Sequence, residues 1–185
     1  MDDRRFGGEE GVDLVGINAG LFSSETPEWA TPWEFYKELD REFKFALDVC
    51  ATAENTKHYR FISPEQDGLK QPWAAMTEGR PCYMNPPYGR EIVNWVRKAS
   101  EEAKKGATVV CLLPARTDTA WFHEYIWDRE KHQPREGVEV RLLKGRLKFG
   151  DGKNSAPFPS MIVVFKQTKA AEAVREEDSH GKAEG

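Results

Sequence analysis

The sequence predicts an α/β domain with a mostly parallel central sheet and an antiparallel hairpin at its C-terminal end. Short apolar segments alternate with segments of helical period, which is the pattern of strand–helix–strand units with right-handed crossovers. Residues 108–113, which are apolar without interruption from Val109 to Leu113, predict a strand that is buried on both faces. Successive apolar segments end at Asp48, Asn85 and Pro114. Since ligands bind where parallel strands end, these three positions predict a single cleft.

The first predicted helix begins near Thr31, which can serve as its cap, with Pro32 at the first helical position and Glu34 completing a capping box. An apolar stripe at helical spacing follows, formed by Phe35, Tyr36, Leu39 and Phe43. Residues 43–49 then predict a buried strand that ends at Asp48.

The middle of the chain predicts an irregular region followed by a strand and a helix. Residues 52–80 are polar and hold a short strand candidate at 58–62, while Trp73 is expected to fold back onto the core. Residues 81–85 predict the next strand. The clearest helix follows over residues 91–105, with one apolar face formed by Ile92, Val93, Val96, Ala99 and Ala103.

The last third of the sequence predicts a further helix and two strands. A turn at residues 114–117 leads into a helix that carries Trp121, Phe122, Tyr125 and Ile126. Residues 138–143 and 161–165 predict the strands of the C-terminal hairpin, which a basic segment and a Ser/Pro loop connect.

Composition divides the 185 residues into one folded domain, predicted over residues 26–168, and two acidic ends. Residues 1–25 carry a net charge of −4 with little periodicity, so we expect a mobile segment. Residues 169–185 are rich in Ala, Glu and Lys and predict a disordered tail or a frayed helix. The whole chain carries −4, yet residues 26–169 carry +3, so the acidic ends do not argue against a nucleic-acid partner.

The rarer side chains indicate neither a metal site nor a membrane protein. Cys50, Cys82 and Cys111 are far apart in apolar contexts, which is typical of free thiols in a reducing compartment. The four histidines show no metal-ligand spacing, so no metal is expected. The longest apolar run, residues 109–113, is too short to span a bilayer, and no signal peptide is visible.

The motif Asn85-Pro86-Pro87-Tyr88 suits the binding of a planar amino group. Neither proline has an N–H, so the turn is rich in hydrogen-bond acceptors and poor in donors. The Asn85 side-chain oxygen and the Pro86 carbonyl can both accept hydrogens from one exocyclic NH2, and the Tyr88 ring can lie flat against the base. A structural proline-rich turn between a strand and a helix is the non-catalytic explanation of the same motif.

Two acceptors on one exocyclic amine draw electron density back onto its nitrogen, whose lone pair is otherwise delocalised into the purine ring. Such an amine can attack the methyl group of S-adenosylmethionine without a metal or a covalent intermediate, so catalysis would rest on positioning and electrostatics. In duplex DNA the target amine is paired and stacked, and the base must first be flipped out. The motif therefore predicts a methyltransferase that acts on an amino group.

Several motifs accompany this turn in a fixed order along the chain, namely Thr31-Pro32, Asp48-Val49-Cys50-Ala51 with Asn55, Asn85-Pro86-Pro87-Tyr88-Gly89, Leu113-Pro114-Ala115-Arg116-Thr117-Asp118, Gly145-Arg146-Leu147-Lys148-Phe149 and Pro157-Phe158-Pro159-Ser160-Met161. Over residues 29–166 the chain resembles the phage-type N6-adenine DNA methyltransferases of the Dam kind. The resemblance implies a Rossmann-like fold that binds S-adenosyl-L-methionine and double-stranded DNA. It also implies action in the cytoplasm of the bacterium that hosts the phage or prophage.

The resemblance implies a cofactor loop at residues 48–51, which has no glycine where most methyltransferases have a Gly-rich turn. The candidate cofactor-binding residues are Thr31, Pro32, Asp48, Val49, Cys50, Ala51, Asn55, Asp67 and Asn85. Helix capping alone also explains the first two of them. Asp48 either pairs with the cofactor's ammonium group or caps the end of a strand. Glu54, Glu65 and Asp67 are candidates for the ribose hydroxyls, of which Asp67 fits an adenine-side loop best.

The candidate DNA-contacting residues are Tyr88, Arg116, Lys144, Arg146, Lys148 and Phe149. Residues 141–153 carry a net charge of +4 around Phe149, which suits a DNA-backbone surface with a second wall for the flipped base. A solvated basic hairpin explains this charge equally well, and Arg116 alone is as readily a salt-bridge partner. Target recognition is expected from small loops, such as residues 128–137 or 150–160, or from a partner.

Two other functions share these sequence features. A methyltransferase for RNA amino groups or protein glutamine uses a similar turn, although glutamine enzymes carry a Gly-rich cofactor loop and a helical substrate domain that are not seen here. A non-catalytic module that binds S-adenosylmethionine or nucleic acid is of another class. Such a module is expected to have a damaged Asn-Pro-Pro-Tyr motif, and the motif at residues 85–88 is intact.

Overall fold

The computed structural model describes residues 29–150 and 155–167, which form an α/β fold around a five-stranded sheet. Residues 1–25 and 169–185, which we expect to be mobile, lie outside the described residues, and the domain bounds at 26–168 stay a prediction. The helices are α1 (Trp33–Phe43), α2 (Trp73–Thr77) and α3 (Ile92–Lys104), with 3-10 turns at Pro64–Gln66 and Gly68–Lys70 and a π-helical turn at Phe122–Ile126. The strands are β1 (Leu47–Asp48), β2 (Cys82–Met84), β3 (Val109–Pro114), β4 (Trp127–Asp128), β5 (Gln133–Pro134), β6 (Val138–Leu142) and β7 (Ser160–Phe165).

The main sheet has the strand order β1-β2-β3-β7-β6, and β4 and β5 form a separate two-stranded hairpin. β1, β2 and β3 are parallel neighbours, whereas β7 is antiparallel to both β3 and β6. The parallel half and the C-terminal antiparallel pair are therefore present as predicted. Because β6 runs in the same direction as β3, the carboxyl ends of β1, β2, β3 and β6 all lie at one edge of the sheet.

Apolar layers cover both faces of the sheet. β3 is buried along its whole length, as its unbroken apolar sequence predicts. Cys111 and Leu113 of β3 belong to the layer that contains α2 and α3, and Val110 and Leu112 belong to the layer that contains α1. This alternation follows from the two-residue period of a strand, and it places the carboxyl edge of the sheet between the two layers.

Two predictions for the first part of the chain are wrong. α1 begins at Trp33 with Pro32 as its N-cap residue and no side-chain capping bond, because the Thr31 hydroxyl bonds the buried Tyr83 hydroxyl instead. The strand predicted over 43–49 is reduced to the two residues of β1. α1 continues through the first residue of that range and is followed by Lys44 in the left-handed conformation, with φ of 56°.

Two further elements are shorter than predicted. The strand candidate at 58–62 is a single parallel bridge between Phe61 and Asp48, because the Arg60 N–H bonds the His58 ring rather than a neighbouring strand. The helix predicted after residues 114–117 is mainly the π-helical turn. Trp73 is fully buried as predicted, and its indole N–H donates to the carbonyl of Gly68.

The helix predicted over 91–105 is confirmed as α3. All three cysteines are free, with Cys82 and Cys111 buried and Cys50 half-buried. Among the described helices, none has the length and apolar character that crossing a bilayer requires.

Glu102 is a buried charge that the apolar periodicity of α3 does not predict. Its carboxylate accepts hydrogen bonds from the Ala74 N–H at 2.9 Å, from Lys98 Nζ at 2.8 Å and from Lys105 Nζ at 2.9 Å. Burial alone would raise the pKa of Glu102, but these donors outweigh burial and hold the pKa below its ordinary value. Since Ala74 lies in the first turn of α2, where amide groups lack helical partners, Glu102 binds α2 to α3.

Glu102→Ala should lower the free energy of unfolding by about 3 kcal/mol, because it leaves a buried ammonium and a buried N–H without partners. Urea denaturation at neutral pH measures the change. Glu101→Ala is the matched control, since Glu101 is exposed one position earlier on the same helix, and it should change stability by less than about 0.5 kcal/mol. Equal losses for the two variants would contradict this role of Glu102.

Candidate active site

A cleft of about 220 Å³ opens at the carboxyl edge of the sheet, where β1 and β2 end. Its lining residues are Ala30, Thr31, Asp48, Cys50, Ala51, Asn55, Lys57, Tyr83 and Asn85. The segment before α1 thus meets residues from the ends of two parallel strands, and the loop after β1 closes one side. Asp48 and Asn85 share one cleft, as their places at strand ends predict, whereas Pro114 is not among its lining residues.

Asn85 is held in a single orientation by hydrogen bonds from its amide nitrogen. Its Nδ2 donates to the Trp29 carbonyl at 2.8 Å and to Thr31 Oγ1 at 3.1 Å. Thr31 Oγ1 lies in turn 2.7 Å from the buried Tyr83 hydroxyl, and burial raises the pKa of that hydroxyl well above its ordinary value. These bonds fix the orientation of the Asn85 side-chain amide.

The Asn85 Oδ1 atom is buried and has no hydrogen-bond donor among the described residues. Leaving a buried acceptor unpaired costs on the order of 1–3 kcal/mol, so such an atom calls for an explanation. The Pro86 carbonyl likewise receives no hydrogen bond from the described part of the chain, whereas the Pro87 carbonyl accepts the Gly89 N–H at 3.2 Å. Two acceptors of the catalytic-turn candidate are therefore free to bind a donor group from outside.

Asp48 brings a carboxylate into the cleft at a high electrostatic cost. It is only 2% exposed, and burial raises its pKa to about 6, although backbone N–H groups of Lys57 and Cys50 and the positive charge of Lys57 oppose the shift. The N–H of Lys57 lies 3.2 Å from Oδ2, and that of Cys50 lies 3.4 Å from Oδ1. At neutral pH the group is mostly ionised, and it is suited to a cationic ligand group.

The loop after β1 contributes unequally to the cleft. Cys50 and Ala51 line it, whereas Val49 does not and is fully buried in the core. Burial, together with the charge of Asp48, raises the pKa of the Cys50 thiol. Asn55 also lines the cleft, and its Oδ1 accepts the Thr52 N–H at 2.7 Å, which shapes the turn.

Besides Val49, two further candidate cofactor residues lie outside the cleft lining. Pro32 occupies the N-cap position of α1, and its carbonyl accepts the Tyr36 N–H. Asp67 has a left-handed backbone with φ of 54° and pairs with Lys70 at 2.8 Å. The adjacent Gly68 packs so tightly that an added Cβ would lie 2.5 Å from the Val49 carbonyl oxygen, which fixes this loop beside the end of β1.

The Tyr88 side chain belongs to an aromatic cluster, which we define as Trp29, Tyr88, Phe149 and Phe158. Its hydroxyl donates to the Leu112 carbonyl at 3.1 Å, and burial raises its pKa well above the ordinary value. The ring meets Phe158 at a centroid distance of 5.4 Å and Phe149 at 6.3 Å, both in edge-to-face geometry. The ring of the Asn-Pro-Pro-Tyr turn is thus supported from the loop that joins β6 to β7.

The expectation that Phe149 forms an exposed wall is wrong for the described conformation. Phe149 is only 4% exposed and packs edge-on against Trp29 as well as Tyr88. The physical reason is alternation, since Leu147 and Phe149 turn toward the core while the basic residues between and before them face solvent.

The basic candidates divide into free and paired side chains. Lys144 and Lys148 are exposed and form no ion pair within the described residues, and the same holds for Arg116. Arg146 is exposed and donates to the Ala156 carbonyl at 3.3 Å. Arg141, by contrast, is not part of a free basic surface.

The Arg141 guanidinium forms ion pairs with two acids, Glu42 and Glu139, each at 2.6 Å. Lys153 lies outside the described residues. Because β6 ends at the carboxyl edge, Lys144, Arg146 and Lys148 emerge on the same side of the sheet as the cleft. The β4–β5 hairpin, in contrast, leads to the amino end of β6 at the opposite edge.

Sequence reasoning missed three residues of the cleft lining, namely Ala30, Lys57 and Tyr83. Tyr83 precedes Asn85 by two positions in β2, so strand alternation could have placed both on one face. Lys57 lies in the irregular region 52–80, where no periodicity signals an inward side chain. The described residues contain no cluster of His, Cys, Asp and Glu that could hold a metal ion.

Comparisons with known proteins agree on one family. A family model described as DNA N-6-adenine-methyltransferase (Dam) matches residues 20–181. A DNA N-6-adenine-methyltransferase of Haemophilus phage HP1 is 41% identical over 149 residues, which cover 77% of this chain and 80% of the relative. A DNA N-6-adenine-methyltransferase of Escherichia phage T1 is 30% identical over 158 residues, covering 78% of this chain and 64% of the relative.

Asp48→Asn should stabilise the ligand-free protein at pH 7.5, because it removes a buried charge. The pKa of Asp48 is about 6 in the folded protein against an ordinary value of 3.8, so the native state binds the proton more tightly, and stability falls as the pH rises between these values. The difference between these two pKa values corresponds to a loss of about 3 kcal/mol in the free energy of unfolding.

Urea denaturation at pH 7.5 and at pH 4 measures the effect of Asp48→Asn, and the gain in stability should shrink at the lower pH. Asp118→Asn is the control, since Asp118 is exposed, and it should show no such pH dependence. A gain that is equal at both pH values would contradict the assignment of a strained, buried carboxylate.

Proposed function

The chain belongs to the DNA N-6-adenine-methyltransferase (Dam) family, and from that premise we propose that it transfers a methyl group from S-adenosylmethionine to N6 of a flipped-out adenine at specific sites in double-stranded DNA. The observation that carries this proposal is the buried Asn85 Oδ1, which is fixed in place and lacks a donor among the described residues. The enzyme would act in the cytoplasm of a host bacterium, as the phage origin of its relatives suggests.

Asn85 and Pro86 would act on the adenine amine by accepting its two hydrogens. Hydrogen bonds to Asn85 Oδ1 and the Pro86 carbonyl pull electron density onto N6 and favour a pyramidal nitrogen with an available lone pair. When bound, S-adenosylmethionine would supply an electrophilic methyl group on a sulfonium; the sulfur would depart as a neutral thioether, and the methylated N6 would release one proton to solvent. Because both acceptors are held before the substrate arrives, they stabilise the developing charge on nitrogen without reorganisation.

The cleft fits one end of the cofactor rather than all of it. Its lining comes only from the segment before α1, the ends of β1 and β2 and the loop after β1. Asp48 suits the ammonium of the cofactor's methionine moiety, and Asn55, Cys50 and Ala51 line the same space. Thr31 would support the binding of this end of the cofactor through its hydrogen bond with Asn85. Val49, Pro32 and Asp67 would contribute to cofactor binding through their backbone or from outside the cleft.

The strand arrangement is compatible with a Rossmann-like methyltransferase fold. Ligands of open α/β sheets bind outside the carboxyl ends of the parallel strands, which is where the cleft lies. The detailed assignment to that fold rests on family membership and on this coincidence of the sheet edge and the cleft.

Tyr88 and the aromatic cluster are proposed to receive the flipped base. Edge-to-face contacts from Phe149 and Phe158 hold the Tyr88 ring, so that a base could stack on it without ordering a mobile side chain. Phe149 would then act by supporting Tyr88, and not as a second exposed wall.

The other candidate functions are less well supported. An RNA or protein amino group would meet the same turn, but both relatives are DNA enzymes by name. In a non-catalytic module, an unpaired buried acceptor such as Asn85 Oδ1 would lower stability unless a ligand paired with it.

Asn85→Ala should lower kcat by about a hundredfold, because one of two preorganised acceptors is lost. Transfer of a labelled methyl group to DNA measures kcat, and calorimetry measures cofactor affinity, which should change much less. Asn94→Ala is the matched control, since Asn94 is a half-buried residue of α3 that bonds neighbours on its own helix. Unchanged kcat in Asn85→Ala would sink the catalytic assignment.

Replacing Lys144 and Lys148 together by Gln should weaken binding to any duplex and reduce the slope of log affinity against log salt by about 2, since two phosphate contacts are lost. Site preference should persist, because phosphate contacts do not read bases. Affinity is measured by fluorescence anisotropy across a salt series.

The matched comparison is the pair Arg129→Gln and Lys131→Gln in the β4–β5 hairpin, which should leave the slope unchanged. If replacing Arg129 and Lys131 reduces the salt slope and replacing Lys144 and Lys148 does not, the DNA binds at the opposite edge of the sheet.

A further inference from the structure

Lys57 lies in the cleft beside Asp48 without neutralising it. Its backbone N–H donates to Asp48 Oδ2 at 3.2 Å, and its side chain forms no ion pair within the described residues. The ammonium instead lies over the Trp33 ring, 4.7 Å from its centroid. Burial lowers the pKa of Lys57, and the Asp48 charge opposes that shift. A half-buried lysine thus lines the cleft and has no ion-pair partner among the described residues.

The contact with Trp33 explains how the ammonium is held. A cation over an indole face gains about 0.5–1 kcal/mol at an exposed site, which fixes its direction without satisfying its hydrogen-bond donors. Trp33 is 52% exposed at the first residue of α1, and its ring meets the core edge-to-face at Tyr36, with the centroids 6.0 Å apart. The pair Trp33–Lys57 therefore resembles a preorganised arm of a binding site rather than part of the core.

The two opposite charges of the cleft complement an α-amino acid. Such a group carries an ammonium and a carboxylate on the same α-carbon, and the cleft offers a carboxylate from Asp48 and an ammonium from Lys57. We propose that Lys57 binds the α-carboxylate of S-adenosylmethionine, while Asp48 binds the adjacent α-ammonium. This inference rests on the proposed function and adds a positioning residue that orients the sulfonium toward Asn85.

A role in binding DNA phosphate is less consistent with the geometry. The buried carboxylate of Asp48 adjoins Lys57 in the same cleft and would repel a phosphate. Lys144 and Lys148 are exposed and carry no such neighbour in the described residues, so they suit phosphate better.

The test compares two ligands that differ only in the carboxylate, S-adenosylmethionine and its decarboxylated analogue. Isothermal titration calorimetry measures both affinities for the full-length wild type, Lys57→Ala, Lys57→Arg and Lys104→Ala. We expect the wild type to prefer the carboxylate-bearing ligand by about tenfold or more. Lys57→Ala should lose this preference by binding S-adenosylmethionine more weakly, with unchanged affinity for the analogue.

Two control variants guard against indirect effects. Lys57→Arg keeps the charge and should retain most of the preference, and Lys104→Ala, which removes an exposed lysine near the end of α3, should behave as the wild type does. Equal weakening for both ligands in Lys57→Ala would indicate a structural effect and overturn the proposal.

Failure of this inference can be separated from failure of the proposed function. If Lys57→Ala keeps the full preference, Lys57 does not bind the carboxylate, although the enzyme still uses S-adenosylmethionine. If the wild type binds neither ligand at millimolar concentration, the proposed function and this inference both fall.

Discussion

The hydrogen bonds from Asn85 Nδ2 to the Trp29 carbonyl and Thr31 Oγ1 are the interaction on which the site depends. They join the Asn-Pro-Pro-Tyr turn to a segment more than fifty residues earlier in the chain, and they leave the buried Oδ1 with no donor among the described residues. An asparagine that was free to rotate would present its NH2 half the time, and an NH2 repels the amine that it should hold. Rigidity of this side chain is therefore a requirement of the proposed chemistry.

Polar groups at this edge of the sheet are kept in states that an isolated fold would avoid. Asp48 is ionised at neutral pH despite burial, and Lys57 is half-buried without an ion pair in the described residues. A zwitterionic ligand end that enters between Asp48 and Lys57 would offset both electrostatic costs. Part of the binding free energy would then come from relieving unfavourable electrostatics already present in the ligand-free protein. The loop after β6 serves this edge in two ways, because alternation turns Phe149 toward Tyr88 and leaves Lys144 and Lys148 in solvent.

Local sequence patterns determined much of the framework. The unbroken apolar run predicted the buried strand β3, and the helical period predicted α3, since both patterns depend only on which faces of an element are buried. Strand ends are also local features, and they correctly brought Asp48 and Asn85 to one cleft. The Asn-Pro-Pro-Tyr motif indicated an amino-group acceptor because prolines lack N–H groups whatever the fold.

Only the tertiary structure decided which side chains meet across the fold. Thr31 looked like a helix cap, but it bonds Tyr83 and Asn85, which lie 52 and 54 residues away. Lys57 enters the cleft from an irregular loop, and Arg141 leaves the basic surface because Glu42, 99 residues earlier, pairs with it. Periodicity reports the burial of faces within one element, whereas hydrogen bonds and ion pairs depend on the positions of two elements relative to each other. That relation is set by the packing of the whole domain, and no local pattern contains it.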